Sequence, residues 1–88
     1  MQIPEILLIE SKHQPGNLGR ILTTIGECGV VIDHITLARR TQDKSVWEIT
    51  VEMDEAAGRQ LFDRLAELPY ARLLGRSDRV FDRHRGGK

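Results

Sequence analysis

The chain predicts an α+β sandwich of order βαββαβ, and three observations carry that prediction. Apolar runs of strand length alternate with two segments whose apolar residues recur at helical spacing. Each helical segment is opened by a turn or cap signal and closed by a glycine or a proline. The first apolar run, Ile6-Leu7-Leu8-Ile9, lacks the alternation of an edge strand, so it reads as a central strand with both faces at least partly covered.

The first strand is expected over Pro4 to Lys12. The first helix follows from Leu18 to about Cys28, with Leu18, Ile21, Leu22 and Ile25 forming one apolar stripe. Gly29 is placed to end it in a left-handed cap. Gly26 costs helix stability relative to alanine, which predicts a close approach to the sheet or to a partner. The second strand spans roughly Val30 to Arg40, alternating through Ile35, Leu37 and Arg39, and Thr41-Gln42-Asp43-Lys44 forms a polar turn. The third, Ser45 to Met53, alternates cleanly: Trp47, Ile49, Val51 and Met53 share one face, and Glu48, Thr50 and Glu52 the other. Asp54 is the expected N-cap of the second helix, whose buried stripe is Ala57, Leu61, Leu65 and Leu68, with Pro69 as its stop. The last strand runs from about Ala71 to Asp78. Two right-handed crossovers on one antiparallel sheet make this a ferredoxin-like sandwich, with strands one and three central and both helices on one face. Residues 1–79 form the domain, and the basic stretch 80–88 with its Gly86-Gly87 pair reads as a linker.

An 88-residue chain buries roughly 60–65% of its unfolded surface, so its core is modest and self-association would help it. A formal net charge of zero argues against general binding to nucleic acid or to an anionic membrane. No apolar stretch approaches the roughly 20 residues that span a bilayer, and the start does not read as a signal peptide. The single Cys28 has no partner for an internal disulfide, so a cytoplasmic setting is expected. It falls at a helix C-terminus, where the dipole disfavours a thiolate.

This fold hosts many functions, and several are excluded by missing residues. The loop before the first helix has no Cys-x-x-Cys for copper. RNA recognition needs aromatics on both central strands, and only Trp47 is there, in an apolar row that assigns it to the core. Arg20 lies within the helix rather than in a phosphate-holding first loop. Pro15-Gly16-Asn17-Leu18-Gly19 has neither the GxGxxG spacing nor a Walker lysine. His13, His34 and His84 are scattered, with no metal-ligand spacing around them. Neither catalysis nor a cofactor is expected.

The run His13 to Leu22 carries the most chemistry. Pro15 biases Gln14 away from helix, Gly16 permits a turn that a β-carbon would hinder, and Asn17 is placed to act as N-cap. The product is a tight strand-to-helix turn with outward amides, able to receive a carboxylate or other anion. Without further context it is also simply a well-formed turn with water on its amides.

These residues resemble a known family. Pro15-Gly16-x-Leu18-Gly19-x-Ile21 opening the first helix, then Ile25-Gly26-x-x-Gly29-Val30-x-Ile32 closing it, is similar to ACT domains over about Ile3 to Asp78. The resemblance implies a regulatory module that binds amino acids, pairs into homodimers or higher oligomers, and holds its effector at the seam. It implies effector contacts from Ser11, His13, Gln14, Pro15, Gly16, Asn17 and Leu18, with Val31 and Asp33 supplied from the partner subunit. Where such domains place an asparagine after the Gly-Val pair, this chain has Val31, with Asp33 two residues on; that departure removes an amide contact. Ser77-Asp78-Arg79-Val80-Phe81 and the following His84-x-Gly86-Gly87-Lys88 resemble the join between the N-terminal ACT domain and the catalytic part of bacterial malic enzymes. Glu5 to Ile9 and the His13–Leu18 loop are similar to those proteins too, which implies an excised regulatory domain and a malic catalytic domain as its natural partner. The alternative expectation is a ligand-free assembly module, its edge strand Val30-Val31-Ile32 joining subunits.

Overall fold

Four strands and two helices follow one another in the expected order: β1 (Ile3–Lys12), α1 (Asn17–Glu27), β2 (Val31–Arg40), β3 (Lys44–Met53), α2 (Glu55–Ala66) and β4 (Ala71–Ser77). The computed structural model describes residues 3–77. The linker assigned to 80–88, the tail motif from Asp78 onward and His84 therefore lie outside the described residues. The sheet is antiparallel throughout with strand order β2-β3-β1-β4, so β1 and β3 are central. This is the ferredoxin-like sandwich.

Alternation along β1 and β3 decides which residues meet the helices. Cross-strand pairs Leu7 with Ile49 and Ile9 with Trp47 lie on the helix side, where they join Ile21 and Ile25 of α1 and Leu61 and Leu65 of α2 in one core. Trp47 packs against that core, half-buried, as its apolar row predicts. Ile6 and Val46 point to the opposite face and are buried as well, which accounts for the unbroken apolar run in β1.

Local chemistry explains both helix ends. Asp54 adopts an extended backbone and its carboxylate accepts from the Ala57 N–H at 2.8 Å, capping α2. Asp54→Ala is expected to cost about 1 kcal/mol of stability in urea unfolding. At the end of α1, Gly29 takes φ +77°, its N–H reaches the Gly26 carbonyl, and the Val30 N–H reaches that of Ile25. That pair of bonds is a Schellman closure, and it satisfies carbonyls the helix leaves open. An ion pair of 2.7 Å from Arg64 to Glu27 ties the two helices at the surface.

Three expectations are corrected. Asn17 is not the N-cap; Gly16 occupies that place with no side-chain cap, and Asn17 is the first helical residue. Gly26 lies exposed, and a β-carbon there would meet nothing within 4 Å, so it gives no close approach to the sheet. Arg39 does not continue the face of Ile35 and Leu37, because the β2–β3 register shifts between Leu37 and Arg39 and pairs Arg39 with Val46. One extra residue inverts every side chain beyond it.

Among the described residues no helix is long and apolar enough to cross a membrane. No group of His, Cys, Asp or Glu there is disposed to hold a metal ion.

Candidate functional site

The turn between β1 and α1 is held by hydrogen bonds from three directions, two through the backbone and one through side chains. His13 N–H donates to the Asp43 carbonyl at 2.7 Å, and Lys12 N–H donates to that of Tyr70 at 3.0 Å. The His13 ring nitrogen Nδ1 meets the Ser45 hydroxyl at 2.7 Å. Ser45 is fully buried and lies opposite Ser11, also buried, across β1 and β3. Thus the β2–β3 hairpin, β3 and the α2–β4 loop all grip the strand end that launches the turn.

Within the turn, Gly16 takes φ +86°, the left-handed region that favours glycine. Asn17, buried, turns its side chain backwards, and its Nδ2 donates to the Lys12 carbonyl at 3.0 Å. The Arg20 N–H closes on the Gly16 carbonyl at 3.0 Å. Leu18 and Gly19 N–H have no partner among the described residues. With no capping side chain over them, these amides form the positive end of α1. Arg20 stands beside them, donating to Asn17 Oδ1 at 3.4 Å and lying over the Tyr70 ring at 5.9 Å. Gln14, Pro15 and Gly16 are exposed, so the approach is open. A cleft of about 610 Å³ adjoins the site on the β4 side, sharing Ser11 and Lys12 and floored by Phe62, Leu65, Ala71 and Leu73.

No protein-family model matches the sequence, and neither does any curated protein. Solved structures do resemble the chain. The ACT domain from GTP pyrophosphokinase of Chlorobium tepidum superposes with a TM-score of 0.71 at 14% identity, over 88% of this chain and 100% of that one. The fold is that of an ACT domain. The regulatory subunit of aspartate kinase from Thermus thermophilus gives 0.58 at 26% identity, over 80% of this chain and 48% of its own. A homoserine dehydrogenase from Thiobacillus denitrificans gives 0.65 at 15% identity over 85% of this chain, which spans only 16% of that protein.

Placed on the ACT fold, the candidate residues divide into two groups. Ser11, His13 and Gln14 to Leu18 come together at one end of the sheet. Val31 and Asp33 lie at the other end of β2, where Val31 pairs with Glu52. Within one subunit they do not meet the turn.

Asp33 is the extra residue at the first register shift of β2, between Ile32 and His34. A hydrogen bond shared with the Asp33 carboxyl, and then its charge, raise the Glu52 pKa above the ordinary carboxylate value of 4.5. A raised folded-state pKa means that, at pH between the two values, the folded domain holds a proton that the unfolded chain has released. Stability from this source is full below the unfolded value and is lost as pH rises through the folded one. Asp33→Asn is therefore expected to stabilise the domain at pH 7 and to lose that advantage near pH 4. Urea midpoints at the two pH values check this, and an advantage independent of pH would contradict it.

Sequence reading missed Ser45, Arg20 and Tyr70 as neighbours of the turn. Ser45 and Tyr70 reach it through contacts distant in the chain, for which no local signal exists. Arg20 is three residues from Asn17, a spacing that places both on one helix face and was legible.

Proposed function

We propose that this chain is a regulatory ACT domain whose Gln14–Leu18 turn holds the carboxylate of a small effector, an amino acid or related metabolite, at a homodimer seam. The observation carrying this reading is the pair of unpartnered Leu18 and Gly19 amides, presented behind a left-handed Gly16 and flanked by Arg20. Preorganised amides at a helix start favour a carboxylate without reorganisation on binding. The regulatory role is supported by likeness to an aspartate kinase regulatory subunit and to the ACT domain of a GTP pyrophosphokinase.

The seam is supported by β2, an edge strand of ten residues. Antiparallel pairing of β2 with its two-fold copy would bring the partner's Val31 end beside this chain's Arg40 end. That is the end where the turn sits, so Val31 and Asp33 would complete the pocket from across the seam. Resemblance over Glu5 to Ile9, His13 to Leu18 and the tail supports attachment to a malic catalytic domain, and the lone Cys28 supports a cytoplasmic setting.

Calorimetric titration with a panel of amino acids and central-metabolism acids tests the reading; no heat and no thermal shift for any of them would overturn it. Gly16→Val is expected to abolish the response while the fold persists, because a β-branched residue at φ +86° costs at least about 1–2 kcal/mol locally. A variant that responds normally would exclude the turn as the site. The second reading, a ligand-free assembly module, is favoured by Val31 and Leu37, exposed at 55% and 43% on the edge strand. A monomer in sedimentation at high micromolar concentration would dismiss it.

A further inference from the structure

A second cleft, of about 390 Å³, opens at the opposite end of the domain, beside the first turns of α2. Its volume falls within the range of small-molecule sites, about 300–1,000 Å³. Met53, Gly58 and Phe62 give it apolar walls, and Glu5, Asp54 and Arg76 give it charge. Gly58 keeps one wall low: a β-carbon there would already stand 3.4 Å from the Met53 methyl.

The informative group is Glu5. Its side chain is only 6% exposed, although it lies on a strand face otherwise given to the core. Oε2 accepts from the Arg76 guanidinium, which is steadied 4.4 Å above the Phe62 ring. Oε1 is buried and has no hydrogen-bond partner among the described residues. A buried carboxylate oxygen without a donor carries an uncompensated desolvation cost, so the site demands one. The terminal carboxyl torsion is soft, which lets either oxygen face the cleft.

Charge decides which donor. The cleft is lined by Glu5, Asp54 and Glu55 against Arg59 and Arg76, a formal balance of minus one. Arg76 is committed to Glu5, and Arg59 stands 3.7 Å from Glu55. The start of α2, which would otherwise attract an anion, is occupied by the Asp54 cap. The unmet requirement is for a cationic donor, and a charge-assisted bond is the stronger way to meet it. We propose that this cleft binds a small molecule carrying a protonated primary amine, whose ammonium donates to Glu5 while its carbon skeleton lies against Met53 and Phe62.

The test is a titration of the 88-residue chain with n-butylamine, followed through backbone amide resonances, with n-butanol and butyrate as arms of equal carbon length. Butylamine is expected to shift the Met53, Gly58 and Arg76 amides saturably, and neither control should match it. Glu5→Gln, which keeps the shape and removes the charge, should weaken binding at least about tenfold. Should that variant unfold, Gly58→Leu, which fills the cleft from the helix side, must abolish the shifts in a chain with native spectral dispersion. No saturable shift with butylamine, an equal response to butyrate, or undiminished binding in the folded variant would overturn the proposal. The response is read at the α2 end, so the outcome is independent of whether an effector occupies the turn.

Discussion

Ile49→Ala is expected to lower the unfolding free energy by about 3–4 kcal/mol in urea titration. Ile49 is fully buried at the middle of β3, with Leu7 beside it on β1 and Ile35 on β2. Truncation there removes apolar contact and leaves a cavity that three hydrogen-bonded strands cannot close. A domain of 88 residues has a total stability of about 4–13 kcal/mol, so the variant forfeits a large share. Leu74→Ala provides the control, since Leu74 is among the exposed hydrophobics; its cost should stay below about 1 kcal/mol. Equal losses in the two variants would mean that the helix side of the sheet is not the core.

Arg76→Leu is expected to destabilise the domain by about 2–3 kcal/mol, and adding Glu5→Leu should recover most of that loss. The single change leaves Glu5, already lacking a donor at Oε1 among the described residues, with neither oxygen paired there in a buried setting. It also removes the guanidinium from above Phe62, a contact worth about 0.5–1 kcal/mol. Arg76 is half exposed, which lets water reach the orphaned carboxylate and keeps the loss below that of a fully buried pair. The double variant replaces two charges by apolar side chains on a sheet face built for them. A double-mutant cycle measures the coupling directly. Additive losses would show that Glu5 and Arg76 do not depend on one another.

Much of the fold was legible because its signals are local. Asp54 as cap, Gly29 as left-handed closure and the stop before Pro69 depend on residues within a turn of each other, where backbone geometry and side-chain reach decide the outcome. The central placement of β1 followed from its unbroken apolar run. The turn at Pro15-Gly16 was legible for the same reason, since the conformational preferences of proline and glycine act on their own peptide units.

The failures share a cause too. Asn17 has the right chemistry for a cap, yet its side chain donates to the Lys12 carbonyl and the left-handed Gly16 holds the cap position. The face of Arg39 was set by a register shift in β2, and a shift leaves no trace in the pattern it interrupts. Ser45 reaches His13 across 32 positions, which only strand pairing could arrange. Glu5 reads as an ordinary polar residue ahead of an apolar run, and nothing nearby announces Arg76, 71 positions away.

The sequence by itself determined the βαββαβ order, both helix stripes, their end signals and a turn with amides to spare, because each rests on interactions within about one helical turn or one pleat. Tertiary structure alone decided which polar groups come together. It anchored the turn through Asp43, Ser45 and Tyr70, placed Val31 and Asp33 at the far end of the edge strand, and closed Arg76 over a buried Glu5. Those outcomes depend on strand order and register, which bring distant residues into hydrogen-bond range without leaving a local mark.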